Sequence, residues 1–156
     1  MVTSMCARDK GTGGRPPTMS RTVEPATALR YLRLLLRLGG VLLVCAFPTM
    51  LLPPDWMAAT HQWLGLGDFP RRPIVDYLAR SVAALYGFHG VLLFIIASDC
   101  RKYRALITYV AVMNVTLGAM LVAVDVFAGM PTVWTLAEGP PLILVGLAIG
   151  WLNSRL

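Results

Sequence analysis

The sequence predicts an all-α fold, a four-transmembrane-helix bundle with a short interfacial helix between spans 1 and 2. Three observations carry that reading. Hydrophobic residues make up 56% of the 156 residues and charged residues only 14%, and the mean hydropathy of +0.64 lies outside the range of soluble domains. Four apolar runs recur along the chain, and because a helix needs about 20 residues to cross a bilayer, the length suits four spans joined by short loops. The basic residues behind the net charge of +6 stand beside those runs. That placement follows the positive-inside rule and excludes a nucleic-acid face, which would interleave them with polar and aromatic side chains.

Residues 1–24 are rich in Gly, Pro, Ser, Thr and basic side chains without an apolar period, and are expected to be a disordered basic tail. Met19 offers a second start, and the sequence leaves Met1 and Met19 as alternatives. The membrane domain is 25–156. Its first helix opens at Pro25, where a missing N–H does no harm. Arg30, Arg33 and Arg37 share one side of it, placed to reach anionic headgroups. Span 1 covers about 29–52, with Pro48 expected to kink its outer third. A cleaved signal peptide is the alternative, but the basic lead is long and no A-x-A pattern closes the run, so a retained span is favoured.

The longest loop, Pro53 to Pro73, holds the predicted interfacial helix. Asp55 is placed to cap it, and Trp56, Met57, Trp63 and Leu64 share a face suited to the membrane surface. His61 falls near the opposite side and reads as solvated.

Span 2, about 74–97, carries Asp76, Arg80 and His89. An ionised group in hydrocarbon costs several kcal/mol unless it meets a partner or water. At 100° per residue, Arg80 shares a face with Asp76, Ala83, Ala84, Gly87, Val91 and Phe94, a small-residue stripe expected to face protein. His89 lies about 180° round the helix, nearer Tyr86, and reads as a packing residue. Span 3, about 103–127, places Asn114 and Asp125 about 20° apart, with Gly118 and Leu121 on the same face. Span 4 is expected over about 132–153. Gly139-Pro140-Pro141 should break it or delay its entry into the bilayer, and Glu138 should stand near a helical N-terminus, where a negative charge is favoured. Gly146 and Gly150 form a GxxxG helix-contact pattern, through which a dimer could supply eight spans.

Seven basic residues run from Arg8 to Arg37, three stand at Arg101, Lys102 and Arg104, and one at Arg155, against Arg71 and Arg72 on the opposite side. The excess puts both termini in the cytoplasm. Asp76, Arg80, Asp125 and Glu138 then share the outer leaflet, a ligand-binding or structural polar cluster with Asn114 as a polar wall deeper in the bundle. Arg80 is the expected anchor and Asp125 and Glu138 its expected partners. One guanidinium against three acids leaves room for a pocket that holds a proton or takes a cationic or hydrogen-bonding ligand.

Nothing in the sequence supplies a catalytic motif: there is no GxSxG, HExxH or Walker loop. Cys6, Cys45 and Cys100 are spaced too widely for a metal knuckle or redox pair, and haem would need a second in-membrane His. No catalytic, metal or cofactor residue is therefore assigned, and an enzyme is disfavoured.

The start of span 2, Asp76-Tyr77-Leu78-Ala79-Arg80 followed by Ala84-Leu85-Tyr86-Gly87, together with Leu136-Ala137-Glu138-Gly139-Pro140-Pro141, resembles the DoxX-like small four-helix bacterial inner-membrane proteins, over about Ile74 to Leu152. The resemblance implies a bacterial cytoplasmic membrane. It also implies, for some relatives, an accessory role in a membrane oxidoreductase. The chain departs from a thiol-redox pattern in lacking a cysteine pair near the outer leaflet. The expected function is a non-catalytic accessory or small-ligand-binding subunit with a polar site at the outer leaflet. The alternative is a subunit of a transporter or of a membrane oxidoreductase complex. The lipid bilayer is the expected partner, with a homo-oligomer or a larger membrane complex left open and nucleic acid excluded.

Overall fold

A computed structural model describes residues 24–156. The tail expected over 1–24, with Cys6 and both candidate starts, lies outside the described residues except for Glu24. All regular structure in the described part is helical. Its elements are α1 (Pro25–Val44), a 3-10 turn (Phe47–Leu51), α2 (Pro54–Trp63), α3 (Pro73–Ser98), α4 (Arg104–Ala128) and α5 (Thr132–Ser154). Four helical stretches are long and apolar enough to cross a membrane: α1 with the 3-10 turn (Pro25–Leu51), α3, α4 and α5. The chain is thus a small multi-pass membrane protein.

Proline and glycine set the element ends. Proline stands in the first turn of α1, the 3-10 turn, α2 and α3, where the absent N–H would have had no helical partner. The α-helix ends at Val44, whose carbonyl would need the N–H that Pro48 lacks, and the chain continues as a 3-10 turn over Phe47–Leu51, a sharper change than a kink. Helix α4 ends on Gly129 at φ +68°, where the Met130 N–H reaches back to the Asp125 carbonyl, and Pro131 then starts α5.

Two expectations need correcting. Asp55 makes no capping bond; Pro53 occupies the N-cap of α2, and Asp55 instead pairs with Arg71 at 2.9 Å. Nor do Pro140 and Pro141 break the last helix, since α5 runs through both. Prolines there remove two in-helix donors and leave the Leu136 and Ala137 carbonyls without them, a loss that packing against a neighbouring helix can offset.

That packing is close. The helices form two antiparallel pairs, α1 with α3 and α4 with α5, and the pairs meet chiefly through α1 and α5. Glycine sits where backbones touch. A β-carbon at Gly90 would stand 2.7 Å from the Gly40 carbonyl, one at Gly118 2.7 Å from the Gly139 carbonyl, and one at Gly146 2.8 Å from the Ala111 carbonyl. Gly146 of the GxxxG pattern therefore packs within its own chain, against α4. Gly87 is just as confined, by the Phe47 ring, which also meets Phe88 edge-on at 5.3 Å and holds the 3-10 turn on α3.

One end of the bundle is sealed. Leu32 and Leu36 of α1, Ile96 of α3, Cys100 of the α3–α4 loop and Ile107 and Val110 of α4 are all but fully buried in one apolar core that also takes in Ile149 and Leu152 of α5. Asn153 locks α5 to α4 there, its Nδ2 donating to the Arg104 carbonyl at 3.1 Å and to Thr108 Oγ1 at 3.0 Å, while Arg104 Nη2 donates to the Asn153 carbonyl at 3.1 Å. The acidic residues of the spans, Asp76, Asp125 and Glu138, lie with Arg80 toward the opposite end, where α3 and α5 begin and α4 finishes.

Candidate functional site

The residues singled out in the sequence occupy three settings. Arg80, in the second turn of α3, is held by a fan of acceptors. Its Nε donates to both carboxylate oxygens of Asp76, at 3.1 and 3.0 Å, its Nη1 to the Met50 carbonyl and its Nη2 to the Leu52 carbonyl at 3.1 Å. The planar guanidinium thereby satisfies carbonyls at the end of the 3-10 turn, which have no helical donor, and ties the α1–α2 connection to α3. Asp76 is the one acid paired with Arg80 among the described residues. These partners are backbone atoms 28 and 30 residues away in sequence, so no side-chain pattern announces them.

Asp125 is the second setting. It is 5% exposed, near the end of α4, and its Oδ2 is buried without a hydrogen-bond partner among the described residues. Leaving such an atom unpaired costs on the order of 1–3 kcal/mol, more if it is charged.

The third setting is a cavity of about 430 Å³ between the two helix pairs. Leu35, Leu36, Gly39, Leu42 and Leu43 of α1 form one wall with Tyr86, His89 and Leu93 of α3. Met113, Asn114, Leu117 and Leu121 of α4, with Ala137, Glu138, Leu142, Val145 and Ile149 of α5, form the other. Its origin is the contrast in side chains. Glycines bring each pair together along its own seam, whereas leucines hold α1 and α3 away from α4 and α5. The volume is in the range of small-molecule sites, and the lining of apolar walls with a few polar groups is their usual composition.

Asn114 is 8% exposed, on the middle of α4, and makes no side-chain hydrogen bond among the described residues. Glu138 is half-buried six residues into α5, about 9 Å along its axis, and has no ion pair or hydrogen bond among the described residues. The structure thus brings Asn114 and Glu138 together on one cavity and leaves Asp76 with Arg80 in the clamp. Sequence reasoning set His89 and Tyr86 apart from the polar cluster because they face away from Arg80. That other face of α3 turns toward the cavity, and only the helix pairing reveals it.

Outside this cavity, His61 Nδ1 lies 3.0 Å from the Gly67 carbonyl, a contact that requires the proton on Nδ1, and stands edge-on to Phe69. Among the described residues, no three His, Cys, Asp or Glu side chains are grouped to hold a metal ion. Comparison with protein-family models, curated proteins and solved structures gave no match.

Proposed function

We propose that this multi-pass membrane protein is a small-ligand-binding or accessory subunit of a bacterial cytoplasmic membrane, DoxX-like in kind, with both termini in the cytoplasm and α2 lying at the outer surface. Its site is the cavity between the helix pairs, with Asn114 and Glu138 as the polar contacts. Arg80 and Asp76 shape the outer end rather than touch the ligand. The observation that carries this reading is Asn114, a residue 8% exposed that lines an apolar cavity and makes no side-chain hydrogen bond among the described residues. An amide on an apolar cavity wall offers a bound molecule both a donor and an acceptor where the low local dielectric strengthens hydrogen bonds. Among the described residues no nucleophile and base are arranged together at the cavity, and binding is the role we favour over catalysis.

The test has two parts. Reporter fusions at Leu156 and within the α2–α3 loop should report opposite sides of the membrane, with the carboxy end inside. Native mass spectrometry of the gently solubilised protein should then show a bound small molecule that is released when Asn114 is replaced by leucine. A carboxy end outside would overturn the threading, and an unliganded protein insensitive to Asn114→Leu would overturn the binding role.

A further inference from the structure

We infer that the cavity selects a hydrophobic molecule bearing a protonated amine, a reading that rests on the ligand-binding role above and names its chemical class. The argument is one of unmatched acceptors. Glu138 brings a carboxyl group to the cavity wall and has no cationic partner among the described residues. Among the described residues, no Lys or Arg side chain lines the cavity. The residue beside Glu138 adds a further acceptor, because Pro141 has no N–H and so leaves the Ala137 carbonyl without its in-helix donor. Leu136 loses its donor to Pro140 in the same way. Across the cavity, the amide oxygen of Asn114, a residue 8% exposed, is a further acceptor with no hydrogen bond among the described residues. An ammonium group brings both a positive charge and several N–H donors, and so matches an acid, a free carbonyl and an amide oxygen together. The leucine walls supply the rest of the recognition and require an apolar body. Among the described residues, His89 and Tyr86 are the other titratable side chains on the cavity, and each adds a further polar atom to its wall.

The test uses the full-length protein in a neutral maltoside detergent with two probes of the same shape, 6-phenylhexylamine and 6-phenylhexan-1-ol, read by native mass spectrometry as one-to-one adducts. The expected result is at least tenfold tighter binding of the amine. Glu138→Gln should abolish the preference, leaving amine and alcohol bound equally, while helical circular dichroism stays unchanged. Asn114→Leu should weaken both probes. Equal binding of the two probes would overturn the amine assignment and leave the cavity as a ligand site of another class. Binding of neither would overturn the amine assignment and the ligand-binding role together. An amine preference that survives Glu138→Gln would place the charge recognition elsewhere and overturn the inference.

Discussion

The seams within the helix pairs and the gap between them are built from the same apolar alphabet, yet one is closed and the other open. Where Gly90 meets Gly40 and Gly118 meets Gly139, backbone lies on backbone and nothing else fits. Where Leu35, Leu42 and Leu43 face Leu117, Leu121 and Leu142, the branched side chains hold the backbones apart and leave a cavity of about 430 Å³. In a bilayer, where lipid is as apolar as leucine, close packing rather than hydrophobicity decides which helices adhere. Residue size therefore decides what is sealed and what can receive a guest.

The largest effect should come from forcing a side chain into a seam. Gly118→Leu should cost about 3 kcal/mol or more through overpacking and lower the detergent melting temperature of the α4–α5 pair, while Gly39→Ala, with one apolar side chain at 3.3 Å, should be much milder. A similar loss for both would mean that the seams are not glycine-limited.

Next should come the clamp at the start of α3. Arg80→Ala removes charge-assisted bonds to two carbonyls and leaves Asp76 alone, for a cost of about 2 kcal/mol in chemical denaturation. Arg80→Lys should recover only part of it, because a point charge cannot span both carbonyls and the carboxylate. Full recovery by lysine would show that charge alone matters there.

In the gap, Asn114→Leu should leave stability within about 1 kcal/mol, since it removes an unpaired amide from an apolar wall. A large loss would give Asn114 a structural role.

A fourth prediction concerns the sealed end. Burial pushes the Cys100 thiol up from its ordinary value, outweighing the downward pull of the nearby Arg33 guanidinium. A thiol whose folded value is raised contributes stability that is complete below the unfolded value and is lost as pH rises through the folded one. Maleimide should therefore label Cys100 slowly in the folded protein near neutral pH and faster as pH rises, with rapid labelling after denaturation. Rapid labelling of the folded protein at neutral pH would contradict its burial.

The smallest effect should be that of Asp55→Ala, because its pair with Arg71 is 76% and 70% exposed; about 0.5 kcal/mol is expected in the same denaturation.

Much of this fold was legible in the sequence because hydropathy and helix punctuation are local. Helices α3, α4 and α5 begin and end within one residue of the apolar runs at 74–97, 103–127 and 132–153. What local reading could not give was the neighbour of each face. Facial arithmetic put His89 opposite Arg80, which is correct for a lone helix. Only the pairing of α3 with α1 decides that His89 looks toward Asn114 and Glu138 across a gap. The acceptors of Arg80 were hidden for a related reason, being main-chain oxygens of a turn about thirty residues upstream. The double proline misled because its effect on α5 depends on Gly139 lying tight against Gly118 and Val122 of the neighbouring helix.

The three-residue connection Gly129–Pro131 makes α4 and α5 a hairpin whose interface is built from residues close together in the chain. The gap, by contrast, exists only once that hairpin has docked on the other, so it is a product of the final assembly step. A molecule lodged in it would bind the docked form alone and, by mass action, hold the two hairpins together. Occupancy and assembly would then be a single equilibrium, and the temperature at which the halves separate would rise with the concentration of the guest.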